Sequence, residues 1–177
     1  MLKTSNYFSG RLFILAHFLK YFFLARHKGG HGIHSPFVYG LLTTIIEDKT
    51  ELPEYKTVKK IIQEYKKNKE PLTLTDLGTG ATNSSQYAKT IKQIVNQSAI
   101  KPKYGELLFR LIRHFKSTRI LELGTSLGVS SSYLALANPE AQVITIDGCS
   151  NCLETARDTW KKNSINNISA ICDNVED

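Results

Sequence analysis

The ten residues Arg119-Ile-Leu-Glu-Leu-Gly-Thr-Ser-Leu-Gly128 constrain the fold more than any other stretch of the chain. The apolar run Ile120 to Leu123 reads as a buried strand, and Gly124 and Gly128 punctuate the turn that follows. Val129, Tyr133, Leu136 and Ala137 then recur at i, i+4, i+7 and i+8, which is one face of a helix. A strand, a glycine turn and a helix in that order let a ligand touch bare backbone at a helix N-terminus. Downstream, the apolar run Gln142 to Ile146 is a second strand that stops on Asp147, 23 positions after Gly124 (147 − 124). An acid at the tip of the second strand, about 20 residues past the glycines, is placed to accept hydrogen bonds from ribose hydroxyls. Ile168 to Cys172 is a third strand, closed by Asp173. The expected class is α/β: a partial, Rossmann-like parallel sheet of about three strands with right-handed helical crossovers, preceded by a helical N-terminal region.

The glycine spacing selects the ligand. A dinucleotide site wants Gly-x-Gly-x-x-Gly, so that a pyrophosphate can sit against the helix. Here the turn is Gly124-x-x-x-Gly128, with the carboxylate of Glu122 two residues ahead, which disfavours a pyrophosphate and suits a cationic ligand. The segment Glu122-Leu-Gly-Thr-Ser-Leu-Gly128 resembles motif I of class I S-adenosylmethionine-dependent methyltransferases, and Asp147 their second-strand acid. The longer run from Gly105-Glu-Leu-Leu to Ser130 is similar to small-molecule O-methyltransferases of the catechol and caffeoyl-CoA type. This resemblance covers residues 101–177 and implies S-adenosylmethionine as cofactor and a small-molecule acceptor. It further implies that Glu122 faces the methionine ammonium, directly or through water, and that Gly124, Thr125, Ser126 and Gly128 wrap the methionine portion. On the same resemblance Ser130 meets its carboxylate, Asp147 holds the ribose hydroxyls and Asp173 approaches the adenine amino group. Read without it, Glu122 can also be a strand-edge acid paired with Arg119 or a lysine, and Asp147 a turn former before Gly148.

Methyl transfer from a sulfonium is an in-line displacement, so the protein's main task is alignment. A hydroxyl nucleophile also needs a base or a metal. In the resembling enzymes those groups follow a fourth strand, and this sequence ends before one. The expectation is therefore a shortened form of a longer methyltransferase, with no catalytic base assigned and no metal site. Two other classes stay open: a non-catalytic interaction module with a vestigial cofactor site, and a nucleic-acid methyltransferase. The second is disfavoured because no aromatic residues interleave with the lysine clusters as a stacking platform.

Charge is uneven: residues 1–118 hold 19 Lys/Arg against 8 Asp/Glu, and residues 119–177 hold 4 against 8. The expected division is a helical N-terminal extension over 1–70, a connecting helical segment over 71–118 and the cofactor-binding unit over 119–177. Three cysteines, Cys149, Cys152 and Cys172, are too few and oddly numbered for a disulfide scaffold, which points to a reducing, cytoplasmic setting. A lone Cys149-x-x-Cys152 does not complete a zinc site.

Residues 10–26 are strongly apolar but broken by Arg11, His17 and Lys20, too short between charges to span a bilayer. Such a helix either packs on the protein or on a second copy of the chain, or lies on a membrane surface. The loop at 28–34 follows; His27, His31 and His34 cluster there without an acid or thiol to complete a metal set. Ser35-Pro36 is a helix start, and Val38, Leu41, Leu42, Ile45 and Ile46 mark the apolar face behind it. After Leu52-Pro53 a further amphipathic helix carries Val58, Ile61, Ile62 and Tyr65. Asp76-x-Gly78-x-Gly80 imitates a second cofactor loop, but no acid-tipped strand follows it; a turn is expected, with residues 82–85 capping a helix that carries Tyr87, Ile91, Ile94 and Val95. Lys101-Pro102 opens the cleanest helix, with Tyr104, Leu107, Leu108, Leu111, Ile112 and Phe115 on its apolar face. Asn151 and Glu154 fit a capping box before a stripe of Leu153, Ala156 and Trp160.

Overall fold

In a computed structural model, residues 5–24, 34–76 and 85–173 are described. The chain parts into two compact units, Met1–Asp48 and Lys49–Asp177. The helix beginning at Pro53 buries five side chains in the second unit.

In the first unit, helix α1 runs Ser5–Leu24. Helix α2, Pro36–Leu41, starts as the Ser-Pro pair dictates: Pro36 sits in the first turn and the Ser35 hydroxyl accepts from the Val38 N–H at 3.4 Å. The backbone then widens into a π turn, Leu42–Ile46, where the Thr44 hydroxyl donates back to the Gly40 carbonyl at 2.7 Å. Ile45 is buried, whereas Val38 and Ile46 are exposed, so only part of the expected apolar face is used.

The second unit is built on a three-stranded parallel sheet, β3 (Arg119–Leu123), β4 (Gln142–Asp147) and β5 (Ile168–Cys172), in that spatial order. Helix α6, Val129–Ala137, connects the first pair and α7, Ser150–Lys162, the second. Register pairs Leu123 with Ile146 and Asp147 with Cys172, so the carboxyl ends of the strands lie side by side. Helices α3 (Pro53–Lys67) and α5 (Pro102–Phe115) pack on α6, and α4 (Ile91–Ser98) packs on α3. Tyr55 is the hinge of the core: its ring meets Phe109 edge-on at 5.1 Å and Tyr133 at 6.4 Å.

Because side chains alternate along a strand, Val143 and Thr145 face the helices and are fully buried, and Ile120 and Glu122 pair with them on that face. The other face carries Leu121, Leu123 and Ile171, which are 65 %, 57 % and 44 % exposed.

Two expected helices shift. Residues 85–90 form a strand, β2, antiparallel to β1 (Pro71–Asp76), so Tyr87 belongs to a ribbon and not to a helix. The helix starts only at Ile91, where Thr90 and Gln93 make a reciprocal capping box (Gln93 N–H to Thr90 Oγ1, 3.2 Å; Thr90 N–H to Gln93 Oε1, 2.9 Å). The Gly78–Gly80 turn lies outside the described residues. In α5 the most buried positions are Gly105 and Phe109, with Leu108 and Ile112 beside them, while Tyr104 and Phe115 are exposed. The cause is Gly105, whose missing Cβ admits the Tyr133 ring; a Cβ there would lie 2.3 Å from Cε2, so the helix rolls to put this position against α6.

Candidate functional site

The turn between β3 and α6 is held by contacts from three directions. Gly124 (φ 87°) and Gly128 (φ 70°) both lie in the left-handed region that glycine occupies without steric cost. At Gly128 the requirement is doubled, because a Cβ would meet the Trp160 ring at 2.5 Å. The Trp160 indole N–H donates to the Gly128 carbonyl at 3.1 Å, and the Ser132 hydroxyl donates to the same oxygen at 2.7 Å. The Tyr65 hydroxyl donates to the Leu127 carbonyl at 3.0 Å and lies 2.7 Å from the Thr159 hydroxyl. Burial pushes the Tyr65 phenol up to about 12, from 10.0.

Glu122 lies under this turn. The Ser131 hydroxyl and the Thr145 hydroxyl (2.8 Å) both donate to its Oε2. The Thr125 hydroxyl, 2.6 Å from Thr145 Oγ1, must then donate to Thr145, since Thr145 has spent its own proton on the carboxylate. A chain of buried hydroxyls thus runs from the turn to Glu122, with Thr125, Ser131 and Thr145 all buried.

Asp147 binds the tip of the turn. Its Oδ2 accepts from the Ser126 N–H at 2.7 Å and its Oδ1 from the Cys149 N–H at 2.8 Å. Ser126 (φ 48°) is a non-glycine residue in the left-handed region, and its hydroxyl is 3.0 Å from that of Ser98 in α4. Asp173 follows β5, and its N–H donates to the Asp147 carbonyl at 3.2 Å.

A cavity of about 190 Å³ opens beside Asp147, bounded by Leu74, Tyr87, Lys89, Ser98, Ser126 and Cys152 among others. A second recess, about 30 Å³, lies along Gly124, Thr125, Ser126 and Ser130. The structure therefore brings Gly124, Thr125, Ser126, Ser130 and Asp147 to one edge of the sheet, with Asp173 at the adjoining tip. It does not bring Glu122 into either recess. Its bonded oxygen is turned to α6, because β3 places it on the helix-covered face.

Three features of the site were not signalled by the sequence. The wall opposite Asp147 is the β1–β2 ribbon, where Lys89 lies over the Tyr87 ring at 4.9 Å and donates to Gln97 Oε1 at 2.9 Å. Asn151 does not cap α7; its side-chain amide donates to the Thr73 carbonyl of β1 at 2.9 Å and so ties the ribbon beside the site, and the N-cap is Cys149. Cys149 and Cys152 are both buried, and burial raises the Cys152 thiol well above its ordinary value. His27 and His31 lie outside the described residues, and His34 is exposed.

No family model and no curated protein sequence matches the chain. Solved structures overlap with it in part. The O-methyltransferase TomG from Streptomyces achromogenes, in complex with SAM, is 21 % identical, with 75 % of this chain aligned to 46 % of that one at a TM-score of 0.42. An O-methyltransferase from Bacillus cereus, in complex with SAH, is 16 % identical over 76 % of this chain and 47 % of its own, at 0.42. A methyltransferase from Geobacter sulfurreducens is 17 % identical over 72 % and 53 %, at 0.45. The chain spans about half the length of these structures. Overlap at this level leaves function to be read from the residues.

Proposed function

We propose that this chain carries the cofactor-binding part of an S-adenosylmethionine-dependent methyltransferase that acts on an oxygen of a small molecule. The observation that supports it most is the Asp147 carboxylate, at the tip of β4, bonded to the backbone of a glycine turn on the adjacent parallel strand. A carboxylate at that place can give up one backbone N–H to accept a pair of ribose hydroxyls. An adenine contact by Asp173 is supported by its position just past β5, beside Asp147, and a carboxylate contact by Ser130 is supported by its position in the first turn of α6.

The residue chemistry fits the cofactor, whereas the cavity is small. Ligand sites usually enclose about 300 Å³ or more. Binding therefore requires Ser126 to leave Ser98 and the β1–β2 ribbon to yield. Once bound, the cofactor supplies the electrophilic methyl group; the protein's share is to grip the nucleoside and orient the sulfonium. Glu122 serves this site by fixing the turn through Thr145 and Thr125, rather than by direct contact through its bonded oxygen.

Titration calorimetry with S-adenosylmethionine and its demethylated product tests the reading. Asp147→Ala removes a charged acceptor worth about 1.5–3 kcal/mol, so affinity falls roughly tenfold to a hundredfold. Absence of binding to the intact chain, or binding unchanged in Asp147→Ala, refutes it.

A further inference from the structure

The Cys149-x-x-Cys152 pair has no part in the proposed cofactor contacts, yet it is bonded to the residue that carries them. The Cys149 N–H donates to Asp147 Oδ1 at 2.8 Å, and the Cys149 thiol donates to the Thr73 carbonyl of β1 at 3.9 Å. Cys149 is the N-cap of α7, with extended backbone (φ −94°, ψ 97°), and Cys152 lies in the first turn of that helix. Both are buried and both are free thiols. The two side chains are neighbours: burial raises the Cys152 thiol first, and Cys149, as its hydrogen-bond partner, raises it further.

Spacing decides what the pair can become. Residues three apart on a helix hold their Cβ atoms about 5–6 Å from each other. A disulfide needs them at about 3.5–4.5 Å. Closing that gap requires one residue to move. Cys152 is fixed inside α7, whereas Cys149 is still in extended backbone ahead of it, so Cys149 moves. Its N–H moves with it. The Asp147 carboxylate then loses one of its two backbone donors and keeps the other, the Ser126 N–H. Access comes from the cavity of about 190 Å³ beside Asp147, which Cys152 borders; it admits a molecule little larger than water.

We propose that Cys149 and Cys152 form a redox pair whose oxidation to an intramolecular disulfide loosens the Asp147 carboxylate. The oxidant is hydrogen peroxide. Cys149 gives up its proton and its sulfur attacks a peroxide oxygen, giving a sulfenic acid and one water. The Cys152 thiol then displaces the sulfenic oxygen, forming the S–S bond and a second water that carries off its proton. In sum two thiols lose two electrons and two protons, and peroxide is reduced to two waters. Burial keeps the Cys152 thiol protonated, which leaves Cys149 as the first nucleophile. Only the consequence for nucleoside binding rests on the cofactor reading.

Peroxide treatment of the Cys172→Ser chain, which lacks the exposed third thiol, tests the proposal. Thiols counted after unfolding fall from two to none, the mass drops by two hydrogens, and dithiothreitol reverses both changes. Amide exchange across residues 147–152 speeds up about tenfold on oxidation, the share of one lost hydrogen bond to a charged group. Affinity for S-adenosylmethionine falls by a similar factor. Cys152→Ser abolishes the mass loss and the faster exchange. Thiols that survive peroxide, that gain oxygen instead of losing hydrogen, or that link two chains on a non-reducing gel overturn the proposal. So does a disulfide that leaves exchange across 147–152 unchanged. A reduced chain that does not bind S-adenosylmethionine refutes the cofactor reading instead, and the thiol count and exchange then decide this one without it. Should Cys152→Ser misfold, reversal by dithiothreitol in the Cys172→Ser chain decides alone.

Discussion

The two faces of the β3–β4–β5 sheet are made of the same kinds of residue and have opposite fates. On one, Val143 and Thr145 are sealed under the helices, and even a carboxylate, Glu122, is accommodated because three hydroxyls are arranged for it. On the other, Leu121, Leu123 and Ile171 stand largely exposed. Strand composition does not distinguish the faces, since Ile144 and Ile146 on the open side are as apolar as Val143 on the closed one. What distinguishes them is where the described helices lie. The closed face is also the one that shapes the turn at the site, because Trp160 and Ser132 reach Gly128 from it.

The comparison is broken or sharpened by substitutions on either side of the sheet. The largest effect is expected from Trp160→Ala, which empties a buried indole and strips a bond from the turn; a loss of about 3–5 kcal/mol follows, read by chemical denaturation. Gly128→Ala comes next, at about 2–4 kcal/mol, since it adds a strained φ to a collision with the same ring, and Trp160→Ala should relieve part of that cost in the double variant. Tyr65→Phe costs about 1 kcal/mol at neutral pH by removing the Leu127 bond.

Tyr65→Phe also changes the alkaline limb of the stability curve. The folded-state phenol is raised to about 12 from 10.0, so its contribution is whole below pH 10 and is lost as pH climbs through about 12. Stability measured across that window should fall less steeply in the phenylalanine variant, and an unchanged slope would count against a buried phenol. Smallest is Leu121→Thr on the open face, within about 0.5 kcal/mol in either direction. A loss above 1 kcal/mol there would mean that this face is covered in solution, and the contrast between the faces would collapse.

Much of the site was legible before any coordinates. The β3–turn–α6 unit, the acid-tipped β4 and β5, the Ser35-Pro36 start and the position of Asp147 are local patterns, and each survives in the structure. The roll of α5 was not legible, because it depends on Gly105 meeting Tyr133, 28 positions away (133 − 105). The β1–β2 ribbon was misread because Tyr87, Ile91, Ile94 and Val95 satisfy a helical spacing up to the point where Thr90 caps the real helix. Glu122 was placed at the correct strand end, but its bonds from Ser131 and Thr145 were not legible, since they join residues 9 and 23 positions away across elements.

By itself, then, the sequence determined what depends on neighbours along the chain: strand against helix, where each begins, and which residues end at the sheet's carboxyl edge. Tertiary structure alone decided what depends on groups meeting across it. Trp160 closing on Gly128, Asn151 tying the ribbon to α7 and Ser126 folding onto Asp147 are of this second kind. The physical reason is that periodicity is written by one element's own geometry, whereas a hydrogen bond between distant elements leaves no spacing in either of them.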